Sequence, residues 1–210
     1  MKNLSSKTYP PARGFTVVEL AVSSTIIILI LGLVLANYPR FRARNSLAAL
    51  ARNVALLVRE AQVYGLAVKE FPQIKQTFPP YGIHISTKNI GEIILFGDLQ
   101  DGERTGAYDS GDGCGSGHTE CIKRISLSGP EFVDKVCVLS GGGATSDKLT
   151  ENCQISELNI SFRRPDPAAV IIVDNLDFRY NAAKIYLRSN KGSDETRVIR
   201  VWITGQISIE

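Results

Sequence analysis

The first strong pattern along the chain is an apolar run from Phe15 to Ala36. It contains 22 residues, and a helix of that length crosses the roughly 30 Å hydrocarbon core of a bilayer. Glu19 is the only charged residue within it. Because a carboxylate is costly inside a membrane helix, Glu19 indicates a functional contact that a plain anchor would not need.

An amphipathic pattern begins at Asn37, where the helix is expected to leave the membrane. Apolar residues then recur three and four positions apart, as on one buried helical face. These residues are Leu47, Leu50, Val54, Leu57, Val58 and Ala61. Pro39 is expected to kink the helix or loosen one turn. The helix is expected to end between Gly65 and Glu70, because the residue before Pro72 is disfavoured in helical conformation.

Short β-branched segments separated by Gly, Pro, Asn or Ser make up the rest of the chain and predict strands. The predicted strands are 81–86, 90–96, 122–127, 132–139, 155–162, 168–173, 184–188, 197–203 and 206–209. Thr204 and Gly205 predict a tight hairpin turn between the last two. The expected fold class is α+β, with a long N-terminal α-helix packed on an antiparallel β-sandwich or pair of sheets.

Basic residues outnumber acidic ones along the amphipathic half of the predicted helix. The segment from Asn37 to Glu70 contains six basic and two acidic side chains. The basic residues are Arg40, Arg42, Arg44, Arg52, Arg59 and Lys69. They could contact anionic lipid headgroups or acidic faces of neighbouring subunits, or form an ordinary solvated helix face.

The junction from Arg13 to Leu20 resembles the cleavage and methylation motif of type IV prepilins and type II secretion pseudopilins. The matching text is Arg-Gly-Phe-Thr-Val-Val-Glu-Leu, followed by the uncharged apolar run. The resemblance implies that prepilin peptidase cuts between Gly14 and Phe15 and that the new N-terminal Phe15 is N-methylated. Glu19 then pairs with the new terminal ammonium, in the same or a neighbouring subunit, and sets the register of assembly.

The resemblance divides the chain into four parts. Residues 1–14 are a cleaved leader, 15–36 the transmembrane half of the helix, 37–70 its amphipathic half, and 71–210 a globular β domain. Removing the leader leaves 21 basic and 21 acidic side chains, because Lys2, Lys7 and Arg13 account for the net charge of +3. The neutral mature chain lacks the strongly basic footprint of a nucleic-acid-binding protein.

Other interpretations of the N-terminal run remain open. An ordinary secretory signal peptide could be cut after Ala36, although its apolar segment would be unusually long. An uncleaved membrane anchor and a buried core helix are further alternatives. Neither explains Gly14 or Glu19.

Further segments resemble H-type minor pseudopilins and related minor pilins. They are 61–65 at the predicted helix end, 81–83 at the first strand, and 200–207 near the C-terminus. The implied function is that of a minor subunit of a type IV pilus or a type II secretion pseudopilus. Its expected partners are other pilin or pseudopilin subunits, prepilin peptidase, the inner-membrane assembly platform and membrane lipid, whereas nucleic acid is not expected.

The same resemblance predicts a single-pass protein of the inner (cytoplasmic) membrane that later enters a pilus or pseudopilus. The peptidase acts on the cytoplasmic side, which puts the globular domain outside the cytoplasm. The alternative function is a DNA-binding minor pilin for DNA uptake. The arginine-free segment 205–210 disfavours it, because related DNA-binding pilins use a basic C-terminal tail.

Four cysteines, all in the predicted β domain, are typical of an oxidising compartment. Three connectivities are possible for four residues. Because each pair brackets a glycine-rich loop, two local bridges are favoured, Cys114 with Cys121 and Cys137 with Cys153. A zinc site is the alternative, although no pair has the Cys-x-x-Cys spacing.

An acidic, glycine-rich loop extends from Asp98 to Asp112. Its carboxylates, with Glu120 farther on, are ligands that suit Ca²⁺. The candidate metal-binding residues are Asp98, Asp101, Glu103, Asp109 and Asp112. No cofactor is otherwise expected, and an acidic solvated loop is the competing interpretation, because the spacing departs from the EF-hand pattern.

The chain is not expected to be an enzyme. Its two histidines are His84, between two isoleucines of a predicted strand, and His118, in a loop between cysteines. Neither has the sequence context of a nucleophile and base. The triple glycine at 141–143 is not followed by the Lys-Ser/Thr of a phosphate-binding loop.

Overall fold

The computed structural model describes residues 14–72, 74–89, 91–99, 106–109, 114, 119–127, 129–141, 149–174, 176, 180–190 and 195–210. The chain divides into two compact units, Met1–Pro39 and Arg40–Glu210. One helix, α1 (Val17–Leu66), has residues in both units. The helix continues through Pro39. It ends at Leu66, inside the interval from Gly65 to Glu70 that the sequence predicts.

The second unit contains the C-terminal half of α1 and ten strands in its described residues. A short 3-10 helix, Thr87–Asn89, follows the first strand. The strands are β1 (Tyr81–Ser86), β2 (Glu92–Gly97), β3 (Cys121–Ser126), β4 (Glu131–Gly141), β5 (Leu149–Asn152), β6 (Glu157–Arg163), β7 (Asp166–Val173), β8 (Ala182–Ser189), β9 (Thr196–Trp202) and β10 (Ile207–Ile209).

These strands form two antiparallel sheets of five strands each. The first sheet has the order β3-β2-β1-β6-β7 and the second β10-β9-β8-β4-β5. Every recorded strand pairing is antiparallel. The predicted α+β architecture, a long helix on antiparallel sheets, is therefore confirmed.

The hydrophobic core lies where the C-terminal half of α1 meets both sheets. The buried face of α1 includes Leu47, Val54, Leu57, Val58 and Ala61, as the spacing predicts, whereas Leu50 is half-buried. These residues pack in one cluster with residues of β1, β6, β8 and β9. Burial of this apolar face supplies the main driving force for holding the helix on the sheets.

One strand was missed from the sequence. β5 pairs with β4 from Val138↔Asn152 to Gly141↔Leu149 and forms an edge of the second sheet. Its four residues are all exposed and mostly polar, so they show no alternation of apolar and polar positions. The hydrogen-bonding edge of β4 determines this strand, because the side chains of β5 contribute little burial.

The predicted hairpin between β9 and β10 is confirmed. The Trp202 N–H donates to Gln206 O at 2.9 Å, and the Gly205 N–H donates to Trp202 O at 2.8 Å. Gly205 has φ +83°, the left-handed conformation that favours glycine in such a turn.

Candidate functional site

The predicted cleavage junction lies in the first described residues, just before α1. Residues 14–16 precede the first helical residue, Val17, and the Phe15 side chain is 78% exposed. The peptide bond between Gly14 and Phe15 is therefore outside the helix. This is the local conformation that a peptidase requires, because a regular helix ties the backbone groups of a scissile bond into hydrogen bonds.

Thr16 caps the start of α1. Its Oγ1 accepts a hydrogen bond from the Glu19 N–H at 3.2 Å, and its carbonyl accepts one from the Leu20 N–H at 3.1 Å. Threonine followed three residues later by glutamate is the sequence signature of a capping box. That signature was overlooked in the sequence, and it gives Thr16 a role in placing Glu19 in the first helical turn.

Within the described residues, the apolar half of α1 is exposed along its length. α1 is the one described helix that is long and apolar enough to cross a membrane. None of its most apolar 18-residue stretch is buried. Its polar side chains bond to carbonyls one turn back, as Ser23 Oγ does to Glu19 O at 2.7 Å and Asn37 Nδ2 to Leu33 O at 3.1 Å. Such internal bonds suit a helix in lipid, where water cannot satisfy polar groups.

The basic residues that follow the span differ in their contacts. Arg44 forms an exposed ion pair with Glu195 at 3.2 Å, and Lys69 lies over the Tyr64 ring with its Nζ 3.4 Å from the ring centroid. Arg40, Arg42 and Arg52 are exposed. Exposed ion pairs contribute little to stability, so this surface is available for other contacts.

Gln62 attaches α1 to the β9–β10 hairpin. It is buried although polar, and its Nε2 donates to Gly205 O at 3.1 Å and to Pro167 O at 3.3 Å. Its Oε1 accepts from Arg59 Nη1 at 2.5 Å. Segments 61–65, 81–83 and 200–207 meet around the end of α1, since Tyr64 also packs edge-on against Tyr81 of β1.

Replacing Gly205 with alanine is expected to destabilise the second unit by about 2–4 kcal/mol. An added Cβ would lie 2.2 Å from Pro167 O and 2.7 Å from Gln62 Nε2, on a residue with φ +83°. Urea unfolding of the full chain, followed by circular dichroism, measures the change. Gly91→Ala is the matched control, because its Cβ would have only one neighbour, at 4.0 Å. Equal stability of the two variants would contradict the expected clash.

Two disulfides lie in the second unit. Cys114 pairs with Cys121 and Cys137 with Cys153, with Cα–Cα distances of 4.7 and 4.1 Å. These are the two local bridges favoured from the sequence. The first closes the segment after β2 onto β3, and the second joins β4 to the residue just after β5.

Carboxylates of the acidic loop organise its backbone. The buried Asp98 accepts a hydrogen bond from the Gly106 N–H at 2.8 Å, and the buried Glu120 accepts from Leu99 and Asp109 N–H groups at 2.9 and 2.8 Å. Asp101, Glu103 and Asp112 lie outside the described residues. Calcium binding stays a prediction. Among described residues, one group has the proximity of metal ligands, Cys137, Glu151 and Cys153, and its cysteines are disulfide-bonded.

The free energy of unfolding of the second unit is expected to depend on pH through Glu120. Burial raises the pKa of Glu120 to about 7, against opposing hydrogen bonds from Asp109 and Leu99. The folded state therefore takes up a proton before the unfolded state does. The stabilisation that comes from this proton on Glu120 is fully present below about pH 4.5. It is lost as the pH rises through about 7.

Unfolding of wild type and Glu120→Gln from pH 5 to 8 tests this dependence. Wild type is expected to gain stability relative to the variant as the pH falls, by at most about 3 kcal/mol. Burial lowers the pKa of His84, which opposes the gain at acidic pH but cancels in the comparison. A pH-independent difference between the two proteins would contradict the assignment to Glu120.

His84 is a buried structural residue of β1. Its Nδ1 lies 2.8 Å from Asn159 Oδ1, and the same oxygen accepts the Tyr108 N–H at 3.2 Å. Because that oxygen accepts both bonds, Nδ1 of His84 carries the proton. The Tyr108 ring covers the imidazole at a centroid distance of 4.9 Å. His118 lies outside the described residues.

Comparison with protein-family models, with curated proteins and with solved structures finds no match to this chain.

Proposed function

We propose that this chain is a minor pilin or pseudopilin subunit, cut by prepilin peptidase and assembled into a type IV pilus or type II secretion pseudopilus. The proposal rests mainly on the order of features along one helix. α1 begins just after the exposed Gly14–Phe15 bond, has Glu19 in its first turn, continues as an unburied apolar span, and ends on a β domain. An assembling membrane subunit needs these features in this order.

Each N-terminal residue has a separate task in this proposal. The peptidase recognises the leader that ends at Gly14 and cuts before Phe15, which becomes the N-methylated terminus. The new ammonium lies close to a low-dielectric environment, where an unpaired charge is costly. Glu19 of the same or a neighbouring subunit neutralises it, and any stagger that separates the two charges is penalised.

The β domain lies outside the cytoplasm in the proposed arrangement. The peptidase acts on the cytoplasmic side, so the chain crosses the inner membrane once with its C-terminal part outside. The two disulfides suit that compartment, since such bonds persist in oxidising environments. Partners in the membrane are lipid, the assembly platform and the helices of other subunits.

Intact-mass analysis of the membrane-extracted protein tests the proposal. The chain is expressed with and without a prepilin peptidase. With the peptidase, the mass is expected to fall by that of residues 1–14 and to rise by that of one CH2, because N-methylation replaces a hydrogen with a methyl group. Without it, the precursor is expected to remain whole. A mature chain beginning at Asn37 would identify a secretory signal peptide and refute the proposal.

A further inference from the structure

A groove of about 530 Å³ lies between the C-terminal half of α1 and the edge strand β10. Both elements belong to the second unit. Its lining comes from one face of the helix and from the end of the β9–β10 hairpin, namely Arg52, Ala55, Leu56, Arg59, Gln206, Ile207 and Ile209.

The centre of this groove is apolar and incompletely covered. Leu56 is 66% exposed and Ile209 is 45% exposed, whereas Ile207 packs in part against the main core. The groove is therefore an extension of the hydrophobic core that this chain leaves open. Covering it would bury apolar side chains that are already held in place.

One wall of the groove is an open strand edge. β10 is the last strand of the second sheet, and among the described residues it pairs only with β9. The Trp202 N–H donates to Gln206 O, and Glu210 exchanges two hydrogen bonds with Val198. In an antiparallel pair the bonding alternates, so the backbone N–H and C=O groups of Ile207 and Ile209 point away from β9. Such groups are a template for another strand.

Two arginines flank the apolar centre. Arg52 and Arg59 are seven positions apart on α1, which is about 10 Å along the helix axis. Both are exposed, and neither is within ion-pair distance of a carboxylate in the part of the chain that the structure describes. Arg59 instead donates to the amide of Gln62. The charge of the groove thus complements an acidic ligand.

We propose that this groove binds an extended, acidic segment of another polypeptide as an added strand beside β10. The segment pairs its backbone with Ile207 and Ile209, places apolar side chains over Leu56, and places carboxylates on Arg52 and Arg59. An extended strand fits better than a helix, because only a strand uses the outward backbone groups of β10. This inference goes beyond the proposed function and does not depend on cleavage of the leader.

The binding surface is held in shape before any ligand arrives. Gln62 bonds to Gly205 O in the hairpin turn and accepts from Arg59, one of the groove residues. This network fixes the spacing between α1 and β10. A preformed site lowers the entropic cost of binding, which makes a short segment sufficient.

Fluorescence anisotropy with the full chain in detergent tests the proposal. The probe is a fluorescein-labelled peptide in which valine and threonine alternate between two glutamates. It is expected to bind, and affinity is expected to fall at least about tenfold in the double variant Arg52→Glu/Arg59→Glu. Ile207→Pro is expected to have a similar effect, because it removes an outward N–H and leaves the bonds to β9.

Two controls separate strand pairing from charge alone. The double variant Arg40→Glu/Arg42→Glu makes the same charge change on two exposed residues of α1 that are outside the groove lining, and it is expected to keep wild-type affinity. A probe peptide with a central proline is expected not to bind, since it cannot complete the backbone ladder.

The proposal is overturned if the acidic peptide does not bind wild type, or if the groove variants bind it as well as Arg40→Glu/Arg42→Glu does. It is also overturned if a labelled single-stranded oligonucleotide, or vesicles of anionic phospholipid, bind wild type in place of the peptide and lose binding in the double variant. None of these outcomes bears on cleavage at Gly14, which intact mass measures separately.

Discussion

Gly14→Ala is expected to leave an uncut precursor in cells that contain a prepilin peptidase. The variant should fold as wild type, because a Cβ built at Gly14 has no neighbour within 4 Å among the described residues. Any loss of cleavage would therefore come from recognition by the peptidase. The processed fraction, measured by intact mass, is expected to fall from nearly complete to undetectable.

Gly32→Ala is the matched control for that experiment. Gly32 lies in the apolar run that follows the junction, and its added Cβ also has no neighbour within 4 Å among the described residues. This variant is expected to be cut normally. Normal cutting of Gly14→Ala as well would show that the residue before Phe15 is not read as proposed.

Glu19→Ala has the second large expected effect, on assembly. The Glu19 side chain has no recorded hydrogen bond or ion pair with the described residues, so the isolated subunit should tolerate its loss. In a filament the substitution would leave the terminal ammonium of Phe15 unpaired, and removing one partner of a buried pair costs about 3–5 kcal/mol. Cleavage and methylation are expected to proceed, whereas the amount of subunit in sheared filaments is expected to fall at least about a hundredfold.

Immunoblots of membrane and filament fractions measure this separation. Glu19→Asp keeps the charge on a shorter side chain and is expected to restore part of the assembly. Ser23→Ala, one turn farther along the helix, removes a polar group whose only recorded bond is to Glu19 O and should assemble normally. If Glu19→Ala enters filaments as wild type does, the proposal that Glu19 pairs with the Phe15 ammonium and sets the register is wrong.

Much of the fold could be predicted because local patterns agree with it. The helix face built on Leu47, Val54 and Leu57 is buried as its spacing predicts, and the turn at Gly205 forms where a tight turn was expected. The two disulfides join cysteines that bracket short glycine-rich loops, which is the reason that they were favoured. Periodicity, turn chemistry and short loop closure are properties of neighbouring residues and are visible in a sequence.

Other features depend on residues far apart in the chain. Leu158, Ile160 and Phe162 alternate with polar residues along β6, yet Asn159 and Ser161 on the opposite face are buried too. The backbone N–H of Tyr108, in the acidic loop, bonds to Asn159 and covers part of that face. Asp98 and Glu120 accept backbone N–H groups of Gly106, Leu99 and Asp109, contacts that the sequence does not show.

The sequence by itself determined the order of parts: an apolar span with one acid, an amphipathic continuation, and a disulfide-containing β domain. Composition and period suffice for these, because they decide which surfaces each segment must bury. Only the tertiary structure decided that Gln62 bonds to Gly205, that Glu120 is buried, and that Arg52 and Arg59 face the open edge of β10. Those contacts join residues up to 143 positions apart, and packing of the helix on the two sheets brings them together.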